Sequence, residues 1–83
     1  MVRFIGSADL PGFCVKYFVF GNPKDGYGIR ILSRDGNRTD RYVSRRLTEV
    51  LNLARMLMRG VVFPENLCEI LEDLLFEAQG VDK

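Results

Sequence analysis

Apolar and polar residues change period once along this chain. Up to about residue 43 they come as short, alternating or fully apolar runs; from residue 44 onward the apolar ones recur three and four apart. Alternation sends successive side chains to opposite faces of a strand, whereas the wider spacing lines up one side of a helix. The pattern therefore predicts a sheet first and helices after it. Val2–Ile5 is a short apolar piece fit for an edge strand, broken off by a turn at Asp9-Leu10-Pro11-Gly12. FCVKYFVF, residues 13–20, is rich in aromatic and β-branched residues and reads as a strand buried on much of both faces. GNPKDG turns the chain, with Pro23 fixing φ and Gly26 free to take a positive φ. In YGIRILSR, residues 27–34, Tyr27, Ile29 and Ile31 point one way, and Arg30, Leu32 and Arg34 the other.

Asp35-Gly36 signals a hairpin, with residues 38–43 returning as the next strand. Two registers are open. A two-residue turn sets Arg30 opposite Arg41, which repels; a three-residue loop with a left-handed Gly36 sets Arg30 opposite Asp40, which attracts. The second is favoured.

Ser44 is placed to cap a helix running to about Arg59 with Gly60 as its stop, and Leu47, Val50, Leu51, Ala54, Leu57 and Met58 form its apolar stripe. Pro64 and Glu65 open a second helix, whose stripe runs Leu67, Ile70, Leu71, Leu74, Leu75, Ala78 before Gly80 ends it. The expected architecture is a single α+β domain: a three- or four-stranded antiparallel β-meander over 1–43, an antiparallel two-helix hairpin over 44–80 packed on one face, and a tail at 81–83.

Composition narrows what such a domain does. At 83 residues and 47% hydrophobic, the chain has room for one small core. Net charge is only +1, yet residues 1–60 hold eleven Lys/Arg against five Asp/Glu, and residues 61–83 hold one against six. No apolar run reaches the roughly 18 residues of a membrane span, and the start of the chain is too interrupted for a signal peptide, so a cytoplasmic setting is expected. Cys14 and Cys68 are then read as two reduced thiols. With no histidine and no Cys-x-x-Cys, neither a zinc site nor the usual base for a serine or cysteine nucleophile is supplied. No catalytic residue, metal, cofactor or small-molecule substrate is expected. Glu69, Asp73 and Glu77 at i,i+4 read as a solvated helix face.

An aromatic strand, then Tyr27-Gly28-Ile29, then V-x-F-P-x-N-L-x-x-I-L-x-D over Val61–Asp73 resembles a family of short clostridial and related Firmicutes proteins of unknown function. The similarity covers roughly residues 17 to 76. This chain departs from that pattern in its arginine-rich second hairpin and first helix, and in Asn66, where a histidine is common. The resemblance implies a bacterial setting and brings no activity and no catalytic residue.

Two sets of residues remain as candidate binding patches. Arg30, Arg34, Arg38, Arg41, Arg45, Arg55 and Arg59 make an arginine surface suited to carboxylate or phosphate, since the guanidinium offers its donors in pairs. Phe76 lies among Glu69, Glu72 and Asp73, and Met56 falls on the polar side of the first helix; a ring among acids has the form of an interface anchor with a polar rim. The favoured function is a non-enzymatic protein–protein interaction module, an adaptor, regulator or inhibitor, with self-association included: one copy's acidic helix can dock on another's arginines. The alternative is nucleic-acid binding through the arginine-bearing β-ribbon and helix face, with Tyr27 and Tyr42 available for stacking.

Overall fold

The structure, a computed structural model, describes residues 1–72. Four strands, β1 (Val2–Leu10), β2 (Phe13–Asn22), β3 (Gly26–Ser33) and β4 (Arg38–Ser44), form one antiparallel sheet in chain order. Helix α1 (Leu47–Arg59) comes next, then a 3-10 turn at Pro64–Asn66 that runs into helical residues 67–72. The fold is α+β, as the change of period predicts. The expected end of the second helix at Gly80, with Asp73, Phe76 and Glu77 and the tail at 81–83, lies outside the described residues.

β1 is longer than the apolar run alone suggests. It continues through Gly6, Ser7, Ala8 and Asp9 to Leu10, because a bulge at Ile5 resets its pairing: Phe4 opposes Phe18 and Gly6 opposes Tyr17. Gly6 leaves space that the Met58 thioether fills; a Cβ there would lie 2.6 Å from its sulfur. The β3–β4 register is the attractive one, with Arg30 opposite Asp40 and Gly36 at φ +96°. A second bulge, between Tyr27 and Gly28, leaves Val43 as the extra residue of β4.

The core lies between one face of the sheet and the helical residues. Val15, Tyr17 and Val19 of β2 and Tyr27, Ile29 and Ile31 of β3 meet Val50, Ala54 and Leu57 of α1, with Leu67 and Leu71 beside them. β2 is fully buried on this face only; on the other, Lys16 is exposed and Phe18 and Phe20 are half-buried.

The start of α1 differs from expectation, whereas its end at Arg59, with Gly60 as the stop, agrees. Arg46 occupies the N-cap and makes no side-chain cap bond. Ser44 is instead the last residue of β4, and its hydroxyl accepts from the Arg46 N–H (3.1 Å) and donates to Glu49 (3.0 Å). It thus braces the strand-to-helix turn two residues earlier than a cap would. At the other end Gly60 is right-handed at φ −84°, and the left-handed residue is Val61 at φ +53°. Val61 N–H bonds the Met58 carbonyl and Val62 N–H the Leu57 carbonyl, each at 3.1 Å. That pair of bonds is a Schellman closure. A β-branched residue in this conformation is strained by about 1–3 kcal/mol. It persists because the next residue is held twice: the Tyr17 hydroxyl, on a wholly buried ring, donates to the Val62 carbonyl at 2.8 Å.

Two substitutions test this closure in urea denaturation. Val61→Gly should raise stability by about 0.5–1 kcal/mol, since relief of strain exceeds the glycine's entropy cost. Tyr17→Phe should lower it by about 1–2 kcal/mol, because the Val62 carbonyl is left without a partner.

Candidate functional site

The sheet's second face is set by the same alternation that builds the core. Residues opposed across the strands share a face, so the pairings lay out this surface as rows. Val2, Phe20, Gly28 and Tyr42 form the first row; Phe4, Phe18, Arg30 and Asp40 the second. Ser7, Lys16, Leu32 and Arg38 form the third, and Asp9 and Cys14 begin a fourth next to Arg34, whose N–H bonds the Cys14 carbonyl. One end of the face is therefore aromatic and the other cationic.

The aromatic end is wet. Val2, Phe4 and Tyr42 are 61%, 55% and 61% exposed. Phe4 and Phe18 pack with ring centroids 5.4 Å apart, and Phe20 meets Tyr42 edge-on at 5.1 Å. That second contact bridges Gly28. A Cβ on Gly28 would stand 2.3 Å from the Arg41 carbonyl oxygen and 2.7 Å from the tip of Phe20, so only glycine lets the two rings close over the backbone.

Arg30 lies between the two ends. Its Nε and Nη2 donate to the two Asp40 oxygens at 3.0 and 3.2 Å, and its guanidinium carbon sits 5.3 Å from the Phe20 ring centre. Arg38 reaches the same carboxylate at 3.6 Å. Arg30 is thus matched, in charge and in geometry, within its own sheet.

The seven predicted arginines do not form one surface. Arg30, Arg34 and Arg38 belong to the open face, while Arg41 opposes Ile29 on the helix side, where its Nε donates to the Cys68 sulfur at 2.9 Å. Arg45 is exposed where β4 leads into α1, and Arg55 and Arg59 are exposed on α1. Met56 is also exposed on α1, and Glu69 and Glu72 are exposed in the second helical segment. Phe76 and Asp73 lie outside the described residues. The sequence pattern hides the aromatic rows because a run as apolar as FCVKYFVF assigns Phe18 and Phe20 to a core. The available signal is β2's own period: Lys16, on the same side as both rings, marks that side as facing water.

At the far end of the sheet, a groove of about 610 Å³ opens among Phe13, Cys14, Arg34, Asp35 and Phe63. A hydrogen bond with Asp9, added to by burial and the Asp9 charge, pushes the Cys14 thiol above its ordinary value, the reverse of what an activated nucleophile needs. Among the described residues no cluster of three His, Cys, Asp or Glu is placed to hold a metal, and no helix is long and apolar enough to cross a membrane. Both cysteines are free thiols.

The model of a family of unknown function, DUF6514, matches residues 13–77. The chain belongs to that family. The DUF6514 match begins at Phe13, the first residue of β2, so it takes in Phe18, Phe20, Gly28, Arg30, Asp40 and Tyr42 but not Val2 or Phe4 of β1. No curated protein and no solved structure matches the chain.

In this DUF6514 member, a double-mutant cycle with Arg30→Met and Asp40→Asn should give a coupling of about 1 kcal/mol, falling as salt rises, because the pair is bidentate but still partly wet. Asp35 supplies a pH dependence. Its carboxylate accepts from the Ser33 hydroxyl and from the Asn37 N–H, which hold its pKa below the ordinary value. The folded pKa is depressed, so the contribution is present above the unfolded value of about 3.9 and lost as pH falls through the lower folded one. The protection of the Asn37 amide, measured against its intrinsic exchange rate, should fall in that acid window, and Asp35→Asn should flatten the response.

Proposed function

We propose that this protein is a non-enzymatic interaction module that binds a protein through the open face of its sheet. The observation that carries the reading is the exposed aromatic end, where Val2, Phe4 and Tyr42 stand more than half exposed beside Phe18 and Phe20. Contiguous apolar surface rimmed by charge is a mark of association sites, and aromatic and arginine side chains are the residues most often found at their centres. A groove whose thiol, Cys14, is pushed above its ordinary value by Asp9 gives no comparable support to catalysis. The resemblance to short bacterial proteins fits an adaptor, regulator or inhibitor of the cytoplasm, acting by occupancy.

The second reading, single-stranded nucleic acid, is favoured by one feature: rings able to stack on bases, Phe4 and Phe18, lie one row from Lys16 and Arg38, with Arg34 in the row beyond. It ranks lower because Asp9 and Asp40 share that face and Arg30 is already held by Asp40.

Site-specific photocrosslinking in the host separates these. A benzophenone side chain at Tyr42 should yield protein adducts, whereas the same probe at Arg55 on α1 should yield few. Adducts that vanish with nuclease would transfer the function to the second reading, and adducts from Arg55 alone would overturn the use of the sheet face.

A further inference from the structure

Resting on that reading of the face, we infer that its occupant is a second copy of this chain, the two sheets packed face to face with the aromatic end of each over the cationic end of the other. The rows are complementary to themselves in this one sense. A two-fold axis parallel to the sheet, midway between the two faces and crossing the strands between the second and third rows, lays each strand over its own copy, end for end. Phe18 then faces Lys16 of the other copy, and Asp40 faces Arg38. The fourth-row Arg34 comes over Gly28, the gap between the Phe20 and Tyr42 rings. These are cation-to-ring and cation-to-carboxylate contacts. An axis along the strands would instead lay the cationic end of one copy over the cationic end of the other and gather Lys16, Arg34 and Arg38 of both copies at one end, which repels.

Two further features suit burial of this face. The charges nearest its middle, Arg30 and Asp40, are already paired at 3.0 and 3.2 Å, so covering them strands neither. The chain's net charge of +1 leaves little repulsion between copies. Strands spaced about 4.8 Å apart and rising about 3.3 Å per residue give a face of about 19 by 23 Å. Joining two such faces removes on the order of 900 Å² from water, below the range of stable specific interfaces, so the dimer should be weak and dependent on concentration.

Sedimentation equilibrium of the full chain, from micromolar to millimolar, tests this. The mass should rise from one chain to two. Phe4→Glu and Tyr42→Glu, both at exposed positions, should each weaken dimerisation by about tenfold or more with an unchanged circular dichroism spectrum. Arg38→Glu should also weaken it, since the new carboxylate meets Asp40 of the other copy, while Arg55→Glu should leave it unchanged. Tighter association of Arg38→Glu would overturn the end-for-end arrangement. One-chain mass at every concentration would overturn the dimer; the Tyr42 crosslink then separates the two failures, since adducts to a different protein leave the binding face standing and their absence removes it too.

Discussion

The hydrogen bond from the Tyr17 hydroxyl to the Val62 carbonyl joins the middle of the sheet to the connection between the helical segments. It is made on a ring with no exposed surface, within the apolar core. An unpaired carbonyl there would be costly, so the position of Val62 is fixed relative to β2. Val62 also closes α1 through its N–H, and the strained Val61 is held between those two restraints. From that fixed point Phe63 packs against Phe13, and the turn at Pro64–Asn66 brings Leu67 and Leu71 onto the sheet.

One covered face leaves the other to be made compatible with water or with a partner. Glycine at position 28 allows Phe20 and Tyr42 to close over bare backbone, and Asp40 gathers Arg30 and Arg38 beside them. The rings shield one another only in part. A face meant purely for solvent would carry charges or hydroxyls in those rows, as Ser7, Lys16 and Arg38 do in the third. The side chains nearest the middle are therefore ordered before any contact is made, which lowers the entropy lost on association.

The pattern of periods carries most of the fold. The turns at Gly12, Gly26 and Gly36, the attractive Arg30–Asp40 register and the inward stripe of α1 are all legible because each depends on neighbours close in sequence. Three features are not. The bulge at Ile5 depends on pairing with β2, so a run read alone stops at the glycine that β1 passes through. The left-handed residue after α1 is Val61 and not Gly60, because tertiary contacts override the local preference for glycine. The site is legible only in pieces: Arg30, Arg34 and Arg38 stand out, but counting arginines along the chain merges them with Arg41 on the opposite face and with Arg55 and Arg59 on α1. The aromatic rows emerge only once strands are laid side by side.

Strand order equal to chain order has a kinetic meaning. Each strand of this sheet pairs with the one synthesised just before it, so the meander can zip as the chain emerges, by short loop closures alone. Its inner face is complete at Ile31, well before Val50, Ala54, Leu57 and Leu67 exist to cover it. Between those moments the nascent sheet has an apolar inner face, the aromatic end of its other face and two open edges, all bare. The contact that ends this interval spans 45 residues. The hazard for this chain thus falls late in its synthesis, when a well-formed sheet waits for its helices and a neighbouring nascent sheet is the nearest substitute.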